Sequence, residues 1–294
     1  MNKMNPPFNK MVIIGVGLIG GSLGMTVRQR HLAREVIGFD QSKAALASAV
    51  ALQAIDRAEE DLGAAVEGAD LVILAAPVGQ FEGLAQKLSG LLRQKTVVTD
   101  VGSVKGAMVE RLEHQLSPRG LFVGGHPIAG REKSGVEAAQ VGLFEGAPCI
   151  LTPTSHTDPT ALETIKALWK AVGCHVVLMS PQRHDRILAA VSHLPHVAAY
   201  ALAAFELELD AGEPDLLAYS AGGLRDFARI AASSPEMWKD ICLANRDQIV
   251  GLIEGYEKAL DRLKKLIQNG DAKGLQDQFE RARAIREKIN KEPK

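Results

Sequence analysis

Short apolar, β-branched runs recur through the first 180 residues. They are Met-Val-Ile-Ile (11–14), Val-Ile-Gly-Phe (36–39), Leu-Val-Ile-Leu (71–74), Thr-Val-Val-Thr (96–99), Leu-Phe-Val (121–123), Cys-Ile-Leu (149–151) and His-Val-Val-Leu (175–178). Helix-like segments separate them, and a weaker strand is expected near Ala54 to Asp56. Alternation of this kind predicts a twisted, mainly parallel sheet covered by helices. Beyond Ser180-Pro181 the strand-like runs stop, and apolar residues recur at helical spacing, as in Leu275, Phe279, Ala282, Ile285 and Ile289. The expectation is a doubly wound α/β domain over 1–180 and an all-helical domain over 181–294. The segment from Ile187 to Leu209 has too many apolar positions for one buried stripe. Either it is wholly internal or a second subunit covers part of it, and we expect a homodimer through the helical domain. Met1 to Asn9 and Lys288 to Lys294 read as disordered ends.

A length of 294 residues suits two domains. Charge changes the picture little: 34 basic against 35 acidic side chains leave a net -1, which implies no polyanion-binding surface and no nucleic-acid partner. Cys149, Cys174 and Cys242 form no C-x-x-C spacing, so no disulfide framework or zinc site is expected and a cytoplasmic location fits. Lys3 and Lys10 before the apolar stretch Met11 to Val27 loosely imitate a signal peptide, but five glycines and no good cleavage site argue against export. The stretch is also too short to span a bilayer, so no membrane segment is read there.

The first strand-like run leads into Gly15-Val16-Gly17-Leu18-Ile19-Gly20 and then a helix-like segment. In a Rossmann-type turn the first glycine allows the tight turn, the second lets the backbone approach a pyrophosphate, and the third lets helix pack on strand. The pyrophosphate then rests on the helix N-terminus, beside the main-chain groups of Leu18 and Ile19. By itself G-x-G-x-x-G is weak, but a second strand-like run ends in Asp40, twenty residues past Gly20. A carboxylate there accepts hydrogen bonds from ribose hydroxyls and repels a 2′-phosphate, so the expected cofactor is NAD rather than NADP. Ala76 and Pro77, closing the fourth run, are expected to touch the cofactor as well.

Among eight histidines, His31, His114 and His156 sit among polar residues, His175 opens a strand, and His184 lies in a Gln-Arg-His-Asp turn. His126, His193 and His196 remain. His126 begins His126-Pro127-Ile128-Ala129-Gly130, read as a loop at a strand's C-terminal end, where a group with an ordinary pKa near 6.5 suits proton abstraction or a loop-bracing hydrogen bond. Ser103, in Asp100-Val101-Gly102-Ser103-Val104-Lys105, comes to the same rim. No cluster with metal-ligand spacing is present, so no metal is expected.

Those blocks, with Gly20-Gly21-Ser22, Ser192-His193-Leu194-Pro195-His196 and Gly222-Gly223-Leu224-Arg225-Asp226-Phe227-Ala228-Arg229-Ile230-Ala231, resemble in order and spacing the prephenate and arogenate dehydrogenase family, from about Met11 to about Glu254. The resemblance implies an enzyme of tyrosine biosynthesis that oxidises and decarboxylates a cyclohexadienyl acid with NAD. It implies that His126 takes the proton of the ring hydroxyl, that Ser103 binds this hydroxyl and orients His126, and that Arg229 pairs with the ring carboxylate, with Arg225 the fallback. Asp226 would hold Arg229 or a facing group, His196 would help bind substrate, and Trp238 would line the cleft. Glu132 and His184 would be supporting or gating residues. Arg131 departs from the small or hydroxyl residue common at its position, and Ala228 from a common threonine. A guanidinium at Arg131 would favour prephenate over arogenate, whose side chain carries an ammonium. Two competing readings remain: a β-hydroxyacid-type dehydrogenase, which would rely on a helical-domain lysine, and a non-catalytic NAD-sensing protein.

Overall fold

The structure is a computed structural model and describes residues 7–130, 133–212 and 215–291. Strands β1 (Phe8–Ile14), β2 (Ala33–Phe39), β3 (Arg57–Glu59), β4 (Leu71–Leu74), β5 (Thr96–Asp100) and β6 (Gly120–Val123) form a parallel sheet in the order β3-β2-β1-β4-β5-β6. Helices α1 (Leu18–Gln29), α2 (Lys43–Ala51), α3 (Leu62–Val66), α4 (Phe81–Leu91) and α5 (Gly106–Leu116) make the crossovers. Every side chain of β4 and of Met11 to Ile14 is buried, because helices cover both faces. One face packs Leu23 and Val27 against Met11 and Ile13, and the other packs Phe81, Leu84 and Leu112 against Val12 and Val72. The order reverses between β1 and β4, which opens a crevice at the strands' C-terminal ends.

Three local expectations are corrected. The third strand is Arg57–Glu59, not 54–56; Ala54 and Ile55 are apolar because they fill the core below the turn that precedes it. Phe8 and Asn9 are strand rather than disordered end, since Phe8 is buried and the Asn9 N–H donates to Asp70. His126 lies in a short strand, β7 (Gly125–Pro127), rather than a loop. Gly124 and Gly125 turn the chain out of β6, where a Cβ on Gly124 would stand 2.5 Å from Thr152 Oγ1. Strand β7 pairs antiparallel with β8 (Pro148–Leu151), which pairs parallel with β9 (His175–Leu178) after helix α6 (Pro159–Ala171). The last two runs therefore form a separate three-stranded sheet and do not extend the main one.

After residue 180 the described chain is helical: α7 (Pro181–Leu188), a π-helical turn (Ala189–His193), α8 (Leu194–Asp210), α9 (Gly222–Ala231), α10 (Pro235–Ala244), α11 (Arg246–Gln268) and α12 (Ala272–Lys291), with a short 3-10 turn at Leu216–Tyr219. Ser180 and Ser234 each cap a helix whose first residue is proline, the arrangement that satisfies free N–H groups where proline supplies none. Composition changes at residue 180, whereas the compact grouping of the fold changes after Asn245. Helices α11 and α12 pack on each other in a unit of their own.

Candidate active site

The cofactor end of the crevice is made by backbone. Gly15 has φ +98°, and a Cβ there would lie 2.5 Å from Ala76 N, so β1 and β4 approach only because this residue is glycine. At Gly17 a Cβ would meet nothing within 4 Å, leaving the main chain open to the crevice. Gly20 serves packing beneath, where a Cβ would fall 2.0 Å from Gly15 O. Helix α1 has no side-chain cap and no acid in its first turn, so its leading N–H groups are free for an anion. Asp40 Oδ2 accepts from Val16 N at 3.0 Å and Oδ1 from Ser42 N at 2.9 Å, which fixes the carboxylate at the mouth beside Gly15, Gly17, Ala76 and Pro77. These residues fit a dinucleotide: the cradle is one that side chains would fill, and the acid stands where a ribose belongs.

The crevice continues into a cleft of about 360 Å³ lined by Gly17, Leu18, Ile19, Ala76, Pro77, Ser103 and His126, with Ser233, Ser234 and Met237 from the helical segment. His126 Nδ1 lies 2.8 Å from His184 Nε2, and His184 Nδ1 lies 2.7 Å from Asp185 Oδ1. A carboxylate only accepts, so His184 donates from Nδ1. Neutral His184 then accepts at Nε2, and His126 donates from Nδ1. The chain of donors leaves the Nε2 lone pair of His126 as its free base. Burial, followed by the field of His184 and of Lys105, holds the His126 pKa well below the ordinary histidine value. Burial also lowers that of His184, against the opposing pull of Asp185. Both rings are therefore neutral at neutral pH.

Beneath them lies a buried polar brace. Lys105 Nζ pairs with Asp100, both fully buried, and Asp100 also accepts from Gly102 N at 2.9 Å and Gly125 N at 3.0 Å. Lys105 N donates to Asp185 at 2.8 Å. Asn245 Nδ2 donates to Asp185 O at 3.0 Å and lies 3.2 Å from His193 Nδ1. Each member fixes the strand end or helix turn that carries His126 or His184.

The structure brings His126, Ser103 and every expected cofactor residue except Gly20 to one crevice. It does not bring the other described site residues there. His196 stacks on Trp238 with ring centroids 4.0 Å apart, and neither ring lines the cleft. Asp226 and Arg229 are exposed on α9, as is Arg225, and none of them lines the cleft within this chain. Arg131 and Glu132 lie outside the described residues. No hydrogen bond joins Ser103 to His126; among the described residues the group that orients His126 is His184. Sequence reasoning noticed His184 but missed Asp185, whose only signal was adjacency to it, and missed the Asp100–Lys105 brace.

A dinucleotide cradle that opens on a buried, oriented histidine is the site of an NAD-dependent dehydrogenase. Residues 23–178 match the family described as prephenate dehydrogenase, nucleotide-binding domain, and residues 180–281 that described as prephenate dehydrogenase, dimerization domain. The chain belongs to the prephenate dehydrogenase family. It is 37% identical to the prephenate dehydrogenase of Bacillus subtilis (strain 168), over 97% of this chain and 77% of that protein. It is 34% identical to the cyclohexadienyl dehydrogenase of Zymomonas mobilis, over 95% of each. The crystal structure of prephenate dehydrogenase from A. aeolicus in complex with hydroxyphenyl propionate and NAD+ superposes with a TM-score of 0.90 at 41% identity, covering 96% of this chain and 98% of that one.

Proposed function

We propose that this enzyme carries out the NAD-dependent oxidative decarboxylation of prephenate to 4-hydroxyphenylpyruvate, a step of tyrosine biosynthesis. The observation that carries the reading is the His126–His184–Asp185 relay, which ends in one free ring nitrogen at the cleft shared with the dinucleotide cradle. His126 Nε2 takes the proton of the ring 4-hydroxyl, and the positive charge that develops is stabilised through His184 by Asp185. The bound nicotinamide supplies the acceptor for the hydride that leaves the same carbon. The resulting dienone is a vinylogous β-keto acid: the electron pair of the bond to the carboxylate passes through a ring double bond to the carbonyl oxygen, so carbon dioxide departs as the ring becomes aromatic. Ser103, on the same rim, hydrogen-bonds the hydroxyl oxygen and holds it toward His126. Gly17, Leu18 and Ile19 offer main chain to the pyrophosphate, Asp40 binds the ribose, and Ala76 and Pro77 pack beside the ring system.

Arg229 remains the proposed partner of the ring carboxylate, with Asp226 holding Arg229 or a facing group, and with His196 and Trp238 supporting the substrate end. Their exposed position on α9 supports a role completed in a homodimer. Helix Pro181–Asp210 is long and apolar enough by composition to cross a membrane, and it is mostly unburied in the single chain. Its first turns hold His184 and Asp185 inside the site, so we assign the exposed Val191, Phe205 and Leu207 to a subunit interface, within a cytoplasmic enzyme. Arogenate is the second reading, favoured by the likeness to a cyclohexadienyl dehydrogenase. Arg131 and Glu132 would act on this choice. Parallel assays of NADH formation with prephenate and with arogenate, with carbon dioxide measured alongside, test the proposal. Higher kcat/KM with prephenate is expected; a tenfold preference for arogenate reverses the substrate assignment, and no turnover of either acid removes the function.

A further inference from the structure

Lys133 has no place in the roles above. It lines the cleft, and its ammonium has no hydrogen bond or ion pair among the described residues. The segment that follows it is clamped onto the start of α1. Gly135, with φ +88°, turns the chain into the short 3-10 turn Val136–Ala138. Val136 and Ala139 lie so close to α1 that a Cβ on Gly21 would stand 3.0 Å from each, and Gln140 N donates to Ser22 Oγ at 3.0 Å. Only two residues, Ser134 and Gly135, separate Lys133 from Val136, a span of at most ~11 Å, so the ammonium is tethered beside the first turn of α1.

The charge balance points the same way. A pyrophosphate brings two negative charges to this helix end, where the dipole amounts to roughly half a positive charge. Among the described residues lining the crevice and the cleft, Lys133 is the one cationic side chain. We propose that Lys133 is a cofactor-binding residue whose ammonium closes over the pyrophosphate of NAD, opposite the N–H groups of α1. A substrate carboxylate is the competing partner, because the chain before Lys133 leads back to the strand that carries His126, and titration with an aryl acid separates the two. The inference rests on the NAD assignment.

Direct calorimetric titration tests it without turnover, using NADH, ADP-ribose and 4-hydroxyphenylpropionate as ligands of the full chain. Lys133→Ala should weaken NADH and ADP-ribose by the same factor, about tenfold, as expected on losing one charge-assisted hydrogen bond. Lys133→Arg should stay within about threefold of the parent, and the deficit of Lys133→Ala should shrink as salt rises from about 0.05 to about 0.5 M. Affinity for 4-hydroxyphenylpropionate and the melting temperature should be unchanged, because the side chain is exposed and supports no packing. NADH affinity of Lys133→Ala within twofold of the parent, or weakening confined to the aryl acid, overturns the proposal. A parent chain that binds neither NADH nor ADP-ribose would remove the cofactor assignment itself, and this inference with it.

Discussion

At the cofactor end of the crevice, the groups that face the opening are main chain exposed by Gly15 and Gly17, beside Asp40, whose oxygens are themselves held by amides of Val16 and Ser42. At the chemical end the groups are side chains drawn from distant parts of the sequence: His126 from β7, His184 and Asp185 from α7, Asp100 from the end of β5 and Lys105 from the start of α5. A backbone cradle tolerates change in its side chains and depends on conformation, so its fragile points are the glycines. A side-chain relay depends on each partner having donors and acceptors in the right order, so its fragile points are protons.

The largest effect should come from breaking the relay at its end. His126→Asn is expected to lower kcat by about 10²–10⁴, the usual worth of a general base, while NADH affinity by titration stays within a few-fold. Loss of NADH binding in that variant would mean that the two ends are not separable. A smaller effect is expected at the cradle. The parent should prefer NAD over NADP by about tenfold or more in kcat/KM, the order expected when a fixed carboxylate meets an added phosphate, and Asp40→Ser should narrow the gap. Equal use of the two cofactors by the parent would detach Asp40 from the ribose.

The smallest effect is a displacement in pH. Burial disfavours the imidazolium of His126, so protonation needs a lower pH than for a free histidine. The acid limb of kcat/KM should therefore fall below ~6.5, with the plateau above it. A limb centred above that value would identify another group as the base. The same shifts act on stability with a definite sign. His193, lowered to about 4 mainly by burial, binds its proton more readily in the unfolded chain. Stability from this residue is full above the unfolded value and is lost as pH falls from there towards about 4.

The two ends also differ in how far the linear sequence reveals them. The cradle was legible because each requirement is local: a glycine where φ is +98° at residue 15, an open face at residue 17, a close helix at residue 20, and an acid at the end of the next strand. The alternation of apolar runs foretold the parallel sheet for the same reason, since burial on both faces writes itself into consecutive residues. The relay was only half legible. His126 was visible as a polar residue at a strand end, but its partner is 58 positions away, and nothing in either neighbourhood encodes that they meet. Resemblance assigned the orienting role to Ser103; in the fold the ring nitrogen is engaged by His184. Lys105 read as one more polar residue of a rim, and only the fold shows it wholly enclosed with Asp100. Arg229 shows the opposite case, a residue well marked in the sequence yet standing on an exposed helix of the single chain.

Asp185 has a consequence for how such a protein can be recombined. The two family matches meet between residues 178 and 180, which makes that point look like a seam between interchangeable modules. Yet Asp185, just past the seam, receives the main-chain N–H of Lys105, and its neighbour His184 receives His126. The heritable joint and the mechanical joint are different places. A chimera that exchanged everything after residue 179 with a relative would carry half of the relay away with the graft. It would work only where donor and recipient agree at both His126 and His184, and in the fit of the Lys105 turn against Asp185.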